Sequence, residues 1–250
     1  MADPMHQFEI QQVLELPPVA GFDLSITNSA LWMIIAAASV TLFFAAASAK
    51  AAVVPGRLQS VGEMLYELIH NLTDSIIGHE GKRYFPFVFT LFAFILAMNL
   101  LGMVPYFFTS TSQLAVTATL GVLVIAVVIA VGFARNGLGF FKLFVPSGVP
   151  FFVLPLVVVI EIISFLVRPV TLALRLFGNM VGGHVVLKVF GGFVVSLGAL
   201  GALGIVGALV TLSGTVAITA LEFMVAFLQA FVFAVLACVY LNDVVNLHSH

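Results

Sequence analysis

Apolar residues in this chain come in blocks far longer than a soluble core uses. Residues 28–49, 84–104 and 114–134 are each almost unbroken hydrocarbon. Each matches the roughly 20 residues that a helix needs to cross a bilayer, so each is predicted as one spanning helix. Residues 58–81 differ. Val61, Met64, Leu65, Leu68, Ile69, Leu72 and Ile76 recur at helical spacing, while Glu63, Glu67, His70, Asn71 and Asp74 fill the other side. That pattern predicts an amphipathic helix, too polar to span, lying at the membrane surface. A helix docked on a soluble partner would show the same pattern.

Two further apolar runs, 150–188 and 205–240, are too long to stand upright. The hydrocarbon core is about 30 Å thick and a helix rises about 1.5 Å per residue. Each run must tilt, break or lie partly flat, and Pro155 and Pro169 offer kinks. The link between them carries Gly191, Gly192, Gly198, Gly201, Gly204 and Gly207.

The expected fold is an all-α integral membrane protein. It has about five membrane helical segments plus the surface helix, with the last two long, strongly tilted and paired as an antiparallel hairpin. One membrane domain covers 1–250. Its parts are an outside amino-terminal segment 1–27, a first span within 28–54, the cytoplasmic amphipathic helix 58–81, two spans within 84–134, and the hairpin 150–245.

Composition agrees with a membrane class. The chain is 62% hydrophobic and 8% charged, against about 25% charged for a soluble domain. Mean hydropathy is +1.22. A net charge of −2 gives no sign of nucleic acid, and Cys238, the one cysteine, permits neither an internal disulfide nor a zinc pattern. The segment 1–27 is acidic, with Asp3, Glu9, Glu15 and Asp23 and no Lys or Arg, and Pro17-Pro18 argues against one helix there. Its opening lacks the features of a signal or transit peptide, which favours a bacterial plasma membrane or a membrane supplied from inside an organelle. Lys50, Arg57, Lys82, Arg83, Arg135 and Lys142 fall on one side of the predicted spans, and only Lys188 on the other. The positive-inside rule then places the amino terminus outside and the C-terminus in the cytoplasm. Trp32 is expected near an interface, and Phe140, Phe141 and Phe144 around Lys142 read as an interfacial elbow.

Charge inside the long run changes the picture. Glu161, Arg168 and Arg175 sit where hydrocarbon is expected. A mid-bilayer charge costs about 2.5–3.5 kcal/mol on the gentlest scale. At about 100° per residue, Glu161, Ser164, Arg168, Thr171, Arg175 and Asn179 fall within about 40° of one line. Such a stripe faces water or a polar partner rather than lipid. The last run repeats this more sparsely with Glu222, Gln229 and Tyr240. In an antiparallel hairpin Glu222 lies beside His184, and Gln229 lies within reach of Arg175 or Asn179. His184 is nine residues past Arg175, on the opposite face of a straight helix, so pairing it with Glu222 calls for a local twist at Gly182-Gly183 or a different rotation of the outer end.

Other readings stay open at several positions. Arg168 and Lys188 can snorkel to an interface, and Tyr240 can anchor at one. Asn99 and Ser164 can hydrogen-bond between helices. Glu161 can pair with Arg168. Arg175 has no acid one turn away, and a buried cation without a partner in its own chain implies one elsewhere.

The segments TLALRLFGNMVGGH (171–184), LEFMVAFLQAFVFAVLACVYL (221–241) and NLLGMVP (99–105) resemble subunit a of F-type ATP synthases, of the alphaproteobacterial or mitochondrial kind. The resemblance covers nearly the whole chain in order. It implies a non-catalytic stator subunit, with no cofactor, carrying protons to and from a rotating c-ring. Arg175 matches the family's essential arginine, facing a c-ring carboxylate. Asn179, His184, Glu222 and Gln229 match the outer half-channel. Glu161, Ser164, Arg168 and Thr171 match the inner one, with Tyr240 there or on the c-ring face. Some bacterial members carry glutamate at the position of His184 and histidine at that of Glu222, so the exchange keeps a His–Glu pair. The implied partners are the c-ring, the peripheral-stalk b subunits, the rest of the synthase and the lipid bilayer. The rivals are an autonomous ion channel or secondary transporter, disfavoured by the lack of a repeat, and a metalloprotease, which lacks an HExxH motif.

Overall fold

The computed structural model describes residues 9–14, 25–49, 52–104, 107–145 and 152–247. Parts of the sequence reading rest on Asp3, Glu15, Pro17, Pro18, Asp23, Lys50, Pro105 and Pro150, which lie outside the described residues.

A short antiparallel pair, β1 (Gln12–Leu14) and β2 (Ile26–Thr27), precedes six long helices. They are α1 (Asn28–Ser48), α2 (Arg57–Ile77), α3 (Gly81–Gly102), α4 (Leu114–Asn136), α5 (Leu154–Gly198) and α6 (Ala202–Val245). Among the described residues, five helical stretches are long and apolar enough to cross a membrane. Helices dominate because hydrocarbon offers no partner to a backbone N–H or C=O, and a helix satisfies both internally. Thr27 caps α1, its Oγ1 accepting from the Ala30 N–H at 3.3 Å.

α3 and the second half of α6 form the packed centre. Val88, Phe92 and Ile95 meet a run of small and large residues, Ala230, Phe233, Ala234, Ala237 and Leu241, all fully buried. Small residues let helices approach closely where lipid supplies no hydrophobic drive between them. α2 packs onto this centre through Ile69, Thr73 and Ile77, while Val61 and Met64 of its apolar side remain exposed. The elbow Gly137–Phe144 turns Phe140 inward against Gly132 of α4, where a Cβ would collide with the ring. At the same end Arg135 donates to both oxygens of Glu80, Nη1 to Oε2 and Nη2 to Oε1, each at 2.9 Å. This hydrogen bond, and then the charge of Arg135, hold the Glu80 carboxyl below its ordinary range.

The hairpin is longer than the apolar runs suggest. α5 has 45 residues and α6 has 44, roughly 65 Å each, against about 30 Å of hydrocarbon. The glycine-rich link is largely helical, and the reversal is confined to 199–201, where Gly201 takes φ 81°. Glycine's intrinsic cost in a helix, about 1 kcal/mol, is smaller than that of leaving backbone groups unsatisfied in lipid. Pro155 sits in the first turn of α5, where its missing N–H costs nothing. Pro169 lies inside α5, and its carbonyl is approached closely by Gly121 of α4. Contacts down the hairpin pair Phe190 with Gly214, Asn179 with Gln229, and Arg168 with Asp243, an antiparallel register.

Candidate ion pathway

α5 buries only a narrow strip. Phe165, Leu172, Ala173, Leu176 and Met180 face the protein, and this fixes the rotation of the helix. Arg175 is thereby turned outward and exposed, with Thr171 and Asn179 exposed a turn to either side. Apolar residues flank this line: Val170 is 53% and Leu174 49% exposed. Among the described residues Arg175 makes no ion pair and no hydrogen bond. Since guanidinium keeps its proton at any working pH, the face carries an uncompensated cation among hydrocarbon.

Two turns back along α5, Arg168 reaches across the hairpin. Its Nη1 donates to Asp243 Oδ2 at 3.2 Å, and its guanidinium carbon lies 5.2 Å from the centre of the Tyr240 ring. Tyr240 is 5% exposed and faces inward beneath Arg168. The Glu161–Arg168 pair considered from the sequence does not form: Arg168 pairs with Asp243 instead. Glu161 and Ser164 are partly exposed and make no hydrogen bond among the described residues. The Thr171 hydroxyl donates back to the Arg168 carbonyl at 2.8 Å. Asp243, to which the sequence gives no role, lies three residues past Tyr240, on the same helix face.

On the other side of Arg175 the polar groups converge. Asn179 Nδ2 donates to Gln229 Oε1 at 3.2 Å, and Gln229 is 3% exposed. Asn179, His184 and Glu222 then line one narrow cavity with Met103, Met180 and Val225. Its volume is about 10 Å³, close to the room one water needs. Glu222 Oε1 and Gln229 Nε2 are buried without a partner. α5 runs unbroken through Gly182-Gly183, and His184 and Glu222 still line one cavity. Gly183 contributes space instead: the Glu222 carboxyl lies against its backbone, where a Cβ would collide.

A second, wide cleft of about 660 Å³ shares Met103 and His184 with the narrow cavity. Glu9, Gln11, Asn28, Trp32, Thr109 and Lys188 are among its walls. The residues just before β1 are pinned at its rim, since Asn28 Nδ2 donates to the Glu9 carbonyl at 3.0 Å. Trp32 packs on Phe107 here, ring centres 4.3 Å apart. Thr109, which the sequence places only in a short polar turn, lies 3.3 Å from His184 Nε2 through its Oγ1. Asn99 follows its interhelical reading, donating from Nδ2 to the Ala226 carbonyl at 3.1 Å.

Polar groups thus gather in two places along a long hairpin, with a cation unpaired among the described residues between them and a water-sized opening on the His184 side. That is a membrane protein built to pass a small ion rather than to pack. Comparison with known proteins narrows the class. The profile of the family described as ATP synthase A chain matches residues 30–242. A Rhizobium etli protein named ATP synthase subunit a is 56% identical over 248 residues, 99% of each chain. A Rhizobium johnstonii protein of that name is 55% identical over 249 residues, 100% of this chain and 99% of the other. A third, from Mesorhizobium japonicum, is 53% identical over 244 residues, 98% of this chain and 96% of the other. The chain belongs to the ATP synthase A chain family. It is a multi-pass membrane subunit, the proton-translocating part of the stator, and is not itself catalytic.

Proposed function

We propose that Arg175 is the fixed cation that meets the c-ring carboxylates, standing between two half-channels that do not join. The observation that carries this reading is the exposed guanidinium, unpaired among the described residues and flanked by hydrocarbon. A carboxyl in lipid is favoured in its neutral form, while one beside a guanidinium is favoured charged. Each arriving carboxyl therefore gives up its proton as it nears Arg175 and is reloaded after passing.

The outer half-channel runs from the wide cleft past His184 into the narrow cavity with Glu222 and Asn179, and on to Gln229. The two cavities meeting at His184, and the unpartnered Glu222 oxygen, support this route. The inner half-channel uses Glu161, Ser164, Arg168 and Thr171, with Tyr240 seating Arg168. Arg175 repels protons that would cross directly. Each proton moved down the membrane potential supplies about 2.3 kcal/mol per 100 mV. The exposed α5 face takes the c-ring, and α1, which buries only Ser29 and Ala36, leaves a face for peripheral-stalk b subunits. The amino terminus lies outside and the C-terminus in the cytoplasm of a bacterial inner membrane, in line with Arg57, Lys82, Arg83, Arg135 and Lys142 at the helix ends and elbow of one side.

The test is exchange of the relay pair in reconstituted synthase. His184→Glu together with Glu222→His retains more ATP-driven proton pumping than either single change. A double exchange no better than the singles removes the pairing.

A further inference from the structure

We infer that Thr109 is a positioning residue that fixes the tautomer of His184 and so confines proton exchange at that ring to Nδ1. The inference rests on His184 being a relay, as proposed above, and comes from counting hydrogens.

Gly102 is the last residue of α3, and terminal helix carbonyls lack donors within their own helix. Thr109 supplies one: its Oγ1 donates to the Gly102 carbonyl at 3.0 Å. A hydroxyl has a single hydrogen, and a carbonyl can only accept. The Thr109 proton is therefore committed. The same Oγ1 lies 3.3 Å from His184 Nε2, so in that contact it must accept, and Nε2 must carry the hydrogen. A neutral His184 is then protonated at Nε2 and bare at Nδ1. The arrangement is tightly held. Thr109 is 5% exposed, and a Cβ at Gly102 would stand 2.9 Å from Thr109 Oγ1, so the close approach needs glycine.

The consequence is directional. The Nδ1 lone pair takes a proton to give imidazolium, and the same N–H bond breaks when the proton leaves. The Nε2–H bond stays intact throughout, because the oxygen it faces has its own hydrogen bound to a carbonyl with no proton to pass on. Thr109 closes that branch. The charged and titratable groups around the ring are Glu222 from α6, Lys188 one turn along α5, and Glu9 from the amino-terminal segment across the cleft.

The experiment uses whole synthase in liposomes with 15N-histidine, the His184 signals being assigned by their loss in a His184→Asn complex. At a pH where the ring is neutral, nitrogen NMR shows hydrogen on Nε2 and none on Nδ1. Thr109→Val, similar in shape but without an acceptor, mixes the two tautomers and slows ATP-driven pumping on the order of fivefold, the weight of one hydrogen bond. Thr109→Ser restores a single tautomer and most of the rate. Hydrogen on Nδ1 in the unaltered protein, or full pumping by Thr109→Val with one tautomer kept, overturns the inference. If Thr109→Val does not assemble, the spectrum of the unaltered complex still decides. Unimpaired pumping by His184→Asn instead removes the relay reading, while the tautomer result stands by itself.

Discussion

The carboxyl of Glu222 rests on the backbone of Gly183, closer than any side chain at that position would allow. Glycine is needed there for its missing Cβ, and the helix stays regular through it. Gly183→Ala therefore forces Glu222 out of the cavity that it shares with His184. Overpacking of this kind costs about 1–3 kcal/mol, and pumping falls with it. Shortening the acid at the same time, Gly183→Ala with Glu222→Asp, recovers part of the loss. Pumping by the single and double variants in reconstituted synthase checks this. An unimpaired Gly183→Ala complex would show that Glu222 does not work from that seat.

Arg168 and Asp243 form an ion pair with both side chains 33% exposed. Pairs this open contribute roughly 0–1 kcal/mol to stability, so Asp243→Asn leaves assembly intact. Proton flux is affected more, because Arg168 loses the negative charge that orients it over Tyr240. Reversing the pair, Arg168→Asp with Asp243→Arg, gives more flux than either single reversal. A double-mutant cycle on passive proton flux with a coupling of about 0.5 kcal/mol or more supports the contact. A coupling of zero contradicts it.

Gln229 holds Asn179 through Oε1 and leaves Nε2 without a partner. Gln229→Leu deletes both. Losing the bond costs about 1 kcal/mol, and removing a buried orphan donor returns a similar amount. Thermal stability of the assembled complex therefore stays nearly level while pumping drops. Gln229→Glu keeps the acceptor and retains more activity than Gln229→Leu. Equal activity of the two variants would mean that Asn179 does not need its partner.

Local pattern carried much of this structure. Apolar runs announced α1, α3 and α4, and the excess length of the last two runs announced the hairpin. Its antiparallel register brought Asn179 and Gln229 within reach before any coordinates. Where the sequence reading fell short, the cause was distance along the chain. Asp243 meets Arg168 across 75 positions and Thr109 meets His184 across 75, and no helical periodicity links such residues. Gly183 was misjudged for another reason. Glycine pairs suggest backbone freedom, but in lipid the backbone keeps its helix, and the absent side chain becomes space for a neighbour. The same physics turned a link rich in glycine into helix, with a reversal only at 199–201.

Arg175 decides the account. Synthase carrying Arg175→Ala is reconstituted in liposomes, and ATP-driven proton pumping is measured beside passive proton flux. With no cation to discharge each passing carboxyl, pumping is abolished while the complex still assembles. Coupled pumping at the unaltered level would contradict the role given to this guanidinium.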